Sequence, residues 1–208
     1  MLTFNENEAR KADSGGVIKE TGKYVGVITR AEKLTSRNGT AGLGLSFKTA
    51  DGASANYLDI YTQKANGEKL WGANLVQSLM ACLKLKEAKE GPIKVEKWTR
   101  DQGIVEATVT GYPDIMGKKI GLLLQKELQS HHETGADVER LNIVAVFQAD
   151  TGLSASEILD GKTKPEKVDQ KLRALLPIRD SRKKGAPLKV VGGDSPEWTD
   201  DELSSIKF

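Results

Sequence analysis

Tyr24, Val25, Val27 and Ile28 open a β-rich run in the stretch that starts at Val17, long enough to be shared between two halves of a curled sheet. Thr35 to Thr40 follows, and its Asn38-Gly39 pair is a strong hairpin signal. Leu43, Leu45 and Phe47 then alternate with Gly44, Ser46 and Lys48, the pattern of a half-buried second strand. After a tight turn at Asp51-Gly52 comes a third strand, with Leu58 and Ile60 facing opposite to Tyr57, Asp59 and Tyr61. Between Gly67 and Leu85 the period changes: Trp71, Leu75, Leu79 and Cys82 recur at helical spacing, which sets Trp71 on an apolar stripe. Lys84, Lys86 and Lys89 follow, and Gly91-Pro92 ends that connection. Val105, Ala107 and Val109 alternate in a strand over 104–111, and another runs over 118–128. Tyr112 to Gly117 is expected to join these two as a hairpin loop. A sixth strand fits 141–147. Val168, Leu172 and Leu175 line one face of a helix that begins near Pro165, a good first-turn residue.

Three strands, a helix and two strands is the order of the OB-fold. The expected fold is therefore mainly β with minor helices: an OB-fold-like, five-stranded Greek-key barrel with its helix between strands three and four, plus a C-terminal helical extension. An immunoglobulin-like sandwich is the main rival, but it has no need of the 67–85 helix. The boundaries read as a flexible leader (1–16), the barrel (17–150), the helical extension (151–178), then a linker and acidic C-terminal tail (179–208). No internal repeat is visible.

Composition narrows the classes. One cysteine among 208 residues, Cys82, excludes an internal disulfide framework and a Cys-rich zinc site. No apolar stretch reaches the ~18 residues of a membrane span, and Met1 to Arg10 lacks the apolar core of a signal peptide. No membrane association and a cytoplasmic location are expected. The net charge of +2 is uneven. Residues 194–208 set five acids (Asp194, Glu197, Asp200, Asp201, Glu202) against Lys207, so this segment carries −4 and the rest of the chain +6. Such asymmetry suits nucleic-acid contact by one part and partner contact by the other. Adjacent histidines, His131-His132, point in different directions and have no cysteine or carboxylate at ligand spacing. There is no glycine-rich phosphate loop, and Asp59 and Glu106 lack a supporting metal motif. Neither catalysis nor a cofactor is expected.

OB-folds bind single strands mainly across strands two and three, between the first hairpin loop and the loop joining strands four and five. Such binding needs cations for phosphates and aromatic faces on which bases stack. Tyr57 and Tyr61 share the outward face of strand three, and Lys48 and Ser46 that of strand two. Lys33 and Arg37 sit near the first hairpin loop, while Tyr112, Lys118 and Lys119 bracket the later one. Each tyrosine has a plainer role as cover for the barrel edge, and each lysine as a solvated surface charge. Trp98, after a lysine-rich stretch, is a further stacking candidate.

With these motifs placed, the chain resembles phage-encoded single-stranded-DNA-binding proteins of the OB-fold type. The matching stretch runs from Gly22-Lys23-Tyr24 through Thr35-Ser36-Arg37-Asn38-Gly39 to the Leu70-Trp71 helix, and then from Val105 to Lys126. Proteins of this function often end in an acidic segment closed by an aromatic residue. Here Asp200, Asp201 and Glu202 precede Ile206 and Phe208, although Lys207 stands where bacterial tails typically carry proline and the acids are sparser. The resemblance implies sequence-nonspecific binding of single-stranded DNA in phage replication or recombination, in the host cytoplasm, with the tail recruiting replication or recombination proteins. Thr199-Asp200-Asp201-Glu202 also has the form of a capping box, so a docked tail helix is a second reading. Rival functions are a protein–protein module, such as a phage inhibitor or assembly factor on the same barrel, and a metal-dependent nuclease. RNA as the ligand and a homodimer through 138–176 or tail exchange stay open.

Overall fold

The longest strand of the computed structural model, β1 (Gly22–Thr35), belongs to two parts of the sheet at once. Its first half pairs with β6 (Lys119–Ser130), from Gly22 opposite Leu124 to Val27 opposite Lys119. Its second half pairs with β2 (Ala41–Thr49), from Gly26 opposite Thr49 to Thr35 opposite Ala41. A register shift between Ile28 and Arg30 bends the strand where it changes partner. This is the sharing expected of the long apolar run. The structure describes residues 15–182, apart from 100, 102, 132 and 133, together with Phe4.

Asn38-Gly39 turns the chain from β1 into β2, and Asp51-Gly52 turns it into β3 (Ser54–Gln63), as the turn residues imply. The helix α1 (Trp71–Cys82) follows. Then comes a hairpin of β4 (Gly91–Thr99) and β5 (Gly103–Gly111), paired along its whole length. β6 is followed by β7 (Asp137–Phe147), two short helices, α2 (Ala155–Leu159) and α3 (Lys167–Ala174), and a two-residue β8 (Arg179–Asp180). The strand order is β3-β2-β1-β5-β4, with β6 also joined to β1 and carrying β7 and β8. All pairings between strands are antiparallel except that of β8 with β6. The protein is thus mainly β, and its sheet stays open where β3 lies against β7 without a shared ladder.

Two expectations are corrected here. The five-strand count omits β4, whose Ile93 and Val95 alternate with Lys94 and Glu96 but follow a lysine-rich approach and Pro92, so the segment reads as connection. The 112–117 segment is not a hairpin loop, because β5 and β6 do not pair with each other. It crosses the middle of β1 instead: Tyr112 N–H donates to the Ala31 carbonyl (2.8 Å) and Gly117 N–H to that of Ile28 (2.8 Å), with Ile115 buried between them.

The main core gathers the inward positions Ile28, Leu43, Leu45, Phe47, Leu58, Ile60, Ile120, Leu122 and Leu124, and Leu75, Leu79 and Cys82 of α1 pack against them. Burial pushes the Cys82 thiol up to about 11. Trp71 does not join this stripe. The buried helical positions are Gly72, Leu75, Leu79 and Cys82; Trp71, the first residue of the helix, lies at the edge of that face, about 60° from its centre, and is 60% exposed. The continuous run Leu122-Leu123-Leu124 is apolar because both faces of β6 are covered. Leu123, Ala145 and Phe147 form a second cluster, and Val168, Leu172 and Leu175 of the extension lie on it. That is the face expected of the 165–175 helix. The segment read as linker from Arg179 begins in contact with the sheet: β8 pairs with Glu127 and Leu128, and Arg182 bonds Asp137 and Asp180. The leader's last residue, Gly16, accepts a hydrogen bond from Ser54 N–H (3.0 Å).

The β4–β5 hairpin is an arm with a narrow root. β5 meets β1 in one ladder position, Glu32 opposite Gly111. A side chain at Gly111 would place its Cβ 2.3 Å from the Ala31 carbonyl oxygen and 2.4 Å from Ile93 Cδ1. Gly111→Ala is therefore expected to cost about 1–3 kcal/mol by overpacking, read as a lower urea midpoint; an unchanged midpoint would show that the root is slack.

Candidate nucleic-acid interface

The outer face of β1, β2 and β3 is a trough. Its rows are set by the ladder: Arg30 beside Ser46, Glu32 beside Gly44 and Asp59, Leu34 beside Gly42 and Tyr61. The central strand thus offers only small residues, and its neighbours form the walls. Leu34 leans across the floor, where a Cβ on Gly44 would meet its Cδ1 at 2.9 Å.

Tyr57 stands on the wall in an unusual way. Between the pairs Leu45–Leu58 and Phe47–Ala55 the register shifts, so Asn56 and Tyr57 together oppose Ser46. An extra residue of this kind re-aims a side chain. Tyr57 takes a φ of 57° there and is 66% exposed. A left-handed backbone costs a non-glycine residue of order 1–3 kcal/mol, and no core packing offsets it. The Arg30 guanidinium lies 5.6 Å from the centre of the Tyr57 ring, within cation–π range. Arg30 is held in turn by Glu32, which accepts from its Nε (2.8 Å) and Nη2 and from Lys97 Nζ of the arm (2.8 Å). Burial pushes the Glu32 carboxyl up, but the hydrogen bonds from Lys97 and Arg30 outweigh it and hold the group below its ordinary range. The aromatic ring, the guanidinium, the carboxylate and the arm form one connected chain.

Two grooves flank Tyr57. One, of about 480 Å³, lies between Arg30, Ser46, Asn56 and Tyr57 on the face and Lys94, Glu96 and Ile104 on the arm. The other, of about 620 Å³, runs along the open seam between β3 and β7, where Lys19, Asp59, Lys126 and Arg140 line it with Tyr57. Lys126 is engaged by Glu139 (3.0 Å), whereas Lys19, Lys48 and Arg140 form no salt bridge among the described residues.

Of the residues singled out from sequence, Tyr57 and Tyr61 do share this face, and Tyr61 is 41% exposed. Lys48 stands exposed at one end of β2, and Arg37 occupies the β1–β2 loop at the other. The remaining candidates lie elsewhere. Lys33 is tied to Glu90 (2.7 and 2.9 Å), and that bond raises its pKa. Tyr112 is half-buried against the core and lines a small groove with Val76 and Met80 of α1; burial, then Glu90, raises its pKa. Lys118 and Lys119 flank the start of β6, and Lys119 meets Asp150 at 3.1 Å. They bracket a crossing segment, not a loop beside the face. Asp59 lies on the trough, whereas Glu106 pairs with Lys94 on the arm (2.8 Å). Among the described residues no group of three His, Cys, Asp or Glu could hold a metal ion.

Sequence reasoning passes over Arg30, Asn56, Ile104 and Arg140. Arg30 follows the β1 irregularity, which breaks simple alternation. Ile104 reads as an ordinary strand residue until the arm is seen. Trp98 pairs with Ile104 on β4; its side chain, like the tail residues Asp200, Asp201, Glu202, Ile206 and Phe208, is outside what the structure describes. No protein-family model matches the chain, and comparisons with curated proteins and with solved structures give no match. No described helix is long and apolar enough to cross a membrane.

Proposed function

We propose that this chain binds single-stranded DNA without regard to sequence, on the outer face of β1, β2 and β3. The observation that carries the reading is Tyr57: an exposed aromatic ring, held at a costly backbone angle and backed by a guanidinium. Stacking of a base on such a ring is worth about 1–3 kcal/mol and is indifferent to base identity. Only an unpaired base has a free face to offer it. The course of β1 between β2 and β6, and the place of α1 after β3, support an OB-type barrel of β1, β2, β3, β6 and β7. The β4–β5 arm is then an insertion between the helix and the fourth barrel strand. The role in phage replication or recombination, and recruitment of partner proteins by residues 194–208, belong to the same reading and rest on the resemblance.

Fluorescence anisotropy with labelled oligo-dT and a matched duplex, over a salt series, tests it. The single strand is expected to bind at least tenfold tighter. With Lys19, Lys48 and Arg140 as the phosphate contacts, the slope of log K against log salt is expected near −2, at about −0.7 per contact. No binding to DNA or to the equivalent RNA at low salt would overturn the proposal and leave the trough as a protein-docking surface.

A further inference from the structure

We infer that the β4–β5 arm is a clamp that holds one unpaired base between Ile104 and the Tyr57 ring. The inference rests on the single-strand reading and adds a second wall to it.

The arm is built to reach over the face. Ile93 and Val95 are buried, and its root is tied by the Glu32–Gly111 ladder position and by Lys97 to Glu32. Beyond the root, the exposed positions of β5 are Ile104, Glu106, Thr108 and Thr110. Three are polar, as a solvated strand face should be. The fourth, Ile104, is 70% exposed and lines the groove whose opposite wall is Tyr57. A large apolar side chain facing an aromatic ring across a cleft is the arrangement that grips a base on both faces. The cleft, at about 480 Å³, falls within the roughly 300–1,000 Å³ of small-ligand sites. Ser46 and Asn56 on its floor and wall offer a hydroxyl and an amide to the edge of the base, and Arg30, held by Glu32, backs the ring from behind. A base within a duplex has both faces stacked and enters no such cleft, so the clamp also sharpens the preference for single strands.

Ile104→Ala tests the clamp, and its exposure makes loss of folding unexpected; a thermal melt of the full chain verifies that. Dissociation from oligo-dT, followed by stopped flow, is expected to speed up about tenfold while the salt slope stays unchanged, because no phosphate contact is lost. The double variant Ile104→Ala with Tyr57→Ala should fall short of the product of the two single effects, since the residues hold the same base. A 2-aminopurine placed within the oligonucleotide should be quenched on binding the wild type and less so on binding Ile104→Ala. If wild type binds oligo-dT but Ile104→Ala leaves dissociation and quenching unchanged, the clamp is overturned and the stacking face stands. Absence of binding by wild type removes both.

Discussion

Glu157→Ala is expected to destabilise the protein by about 3 kcal/mol or more and to release the C-terminal extension from the sheet. Glu157 is 0% exposed, yet its carboxylate is the joint on which two helices meet. It accepts from Ser154 N–H (2.8 Å) and Oγ (2.7 Å) at the start of α2, and from Glu166 N–H (2.7 Å) and Lys167 N–H (2.9 Å) at the start of α3. Alanine would leave three backbone donors without an acceptor, at about 1–3 kcal/mol for each one that stays dry. Val168 and Leu172 would then lose their hold on Leu123, Ala145 and Phe147. Limited proteolysis should cut the variant within 151–182 well before the strands, and a urea series should show a lower midpoint. The acid limb is a second readout. Burial pushes this carboxyl up, but the donors from Lys167, Glu166 and Ser154 outweigh it and bring its pKa down to about 2, from an ordinary 4.5. A lowered folded-state pKa stabilises fully above the unfolded value and is lost as pH falls through the folded one. The stability gap between wild type and Glu157→Gln should therefore be widest above pH 5 and shrink steadily towards pH 2. A gap that does not change with pH would mean that the carboxylate is not the joint.

The features legible in the sequence are those fixed by near neighbours. Asn38-Gly39 and Asp51-Gly52 demand tight turns wherever they occur, and the Val168–Leu172–Leu175 stripe demands an apolar surface to cover. Ser154 and Glu157 also stand at capping-box spacing, so the joint leaves a local signature, though nothing local says that a second helix begins on the same carboxylate. What stays hidden is non-local. Ile93 and Val95 alternate too briefly, behind Pro92, to outweigh the charges around them. Which strand β5 and β6 each join depends on β1, some 80 or more residues earlier in the chain. Trp71 falls on the stripe by spacing, yet as the first residue of α1 it stays exposed while Gly72 beside it packs against the Tyr61 carbonyl. The tyrosines of β3 are readable as outward-facing by alternation alone. The bulge that aims Tyr57, the guanidinium behind its ring and the arm across from it are not.

Replacing Tyr57 and Tyr61 together with alanine is expected to weaken oligo-dT binding by about thirtyfold or more. Each ring offers about 1–3 kcal/mol of stacking, and each 1.4 kcal/mol is tenfold in affinity. Four residues apart on a strand is about 13 Å, too far for the rings to share a base, so their effects should multiply. Tyr57 should carry the larger part, because Tyr61 is less exposed and its ring packs beside Gly42. Loss of affinity alone would not show why Tyr57 sits at a φ of 57°. Tyr57→Gly does. Glycine adopts that angle without steric cost, so the strain of about 1–3 kcal/mol is relieved against the loss of a cation–π contact worth about 0.5–1 kcal/mol at an exposed site and a backbone-entropy cost of about 0.5–1 kcal/mol. The variant is expected to melt no lower than wild type and to bind DNA about tenfold more weakly. Affinity lost with no loss of stability is the mark of a residue kept for its ligand. If Tyr57→Gly instead melts lower and binds as before, the ring serves the packing of the bulge, and the stacking face must be sought along Tyr61 and Trp71.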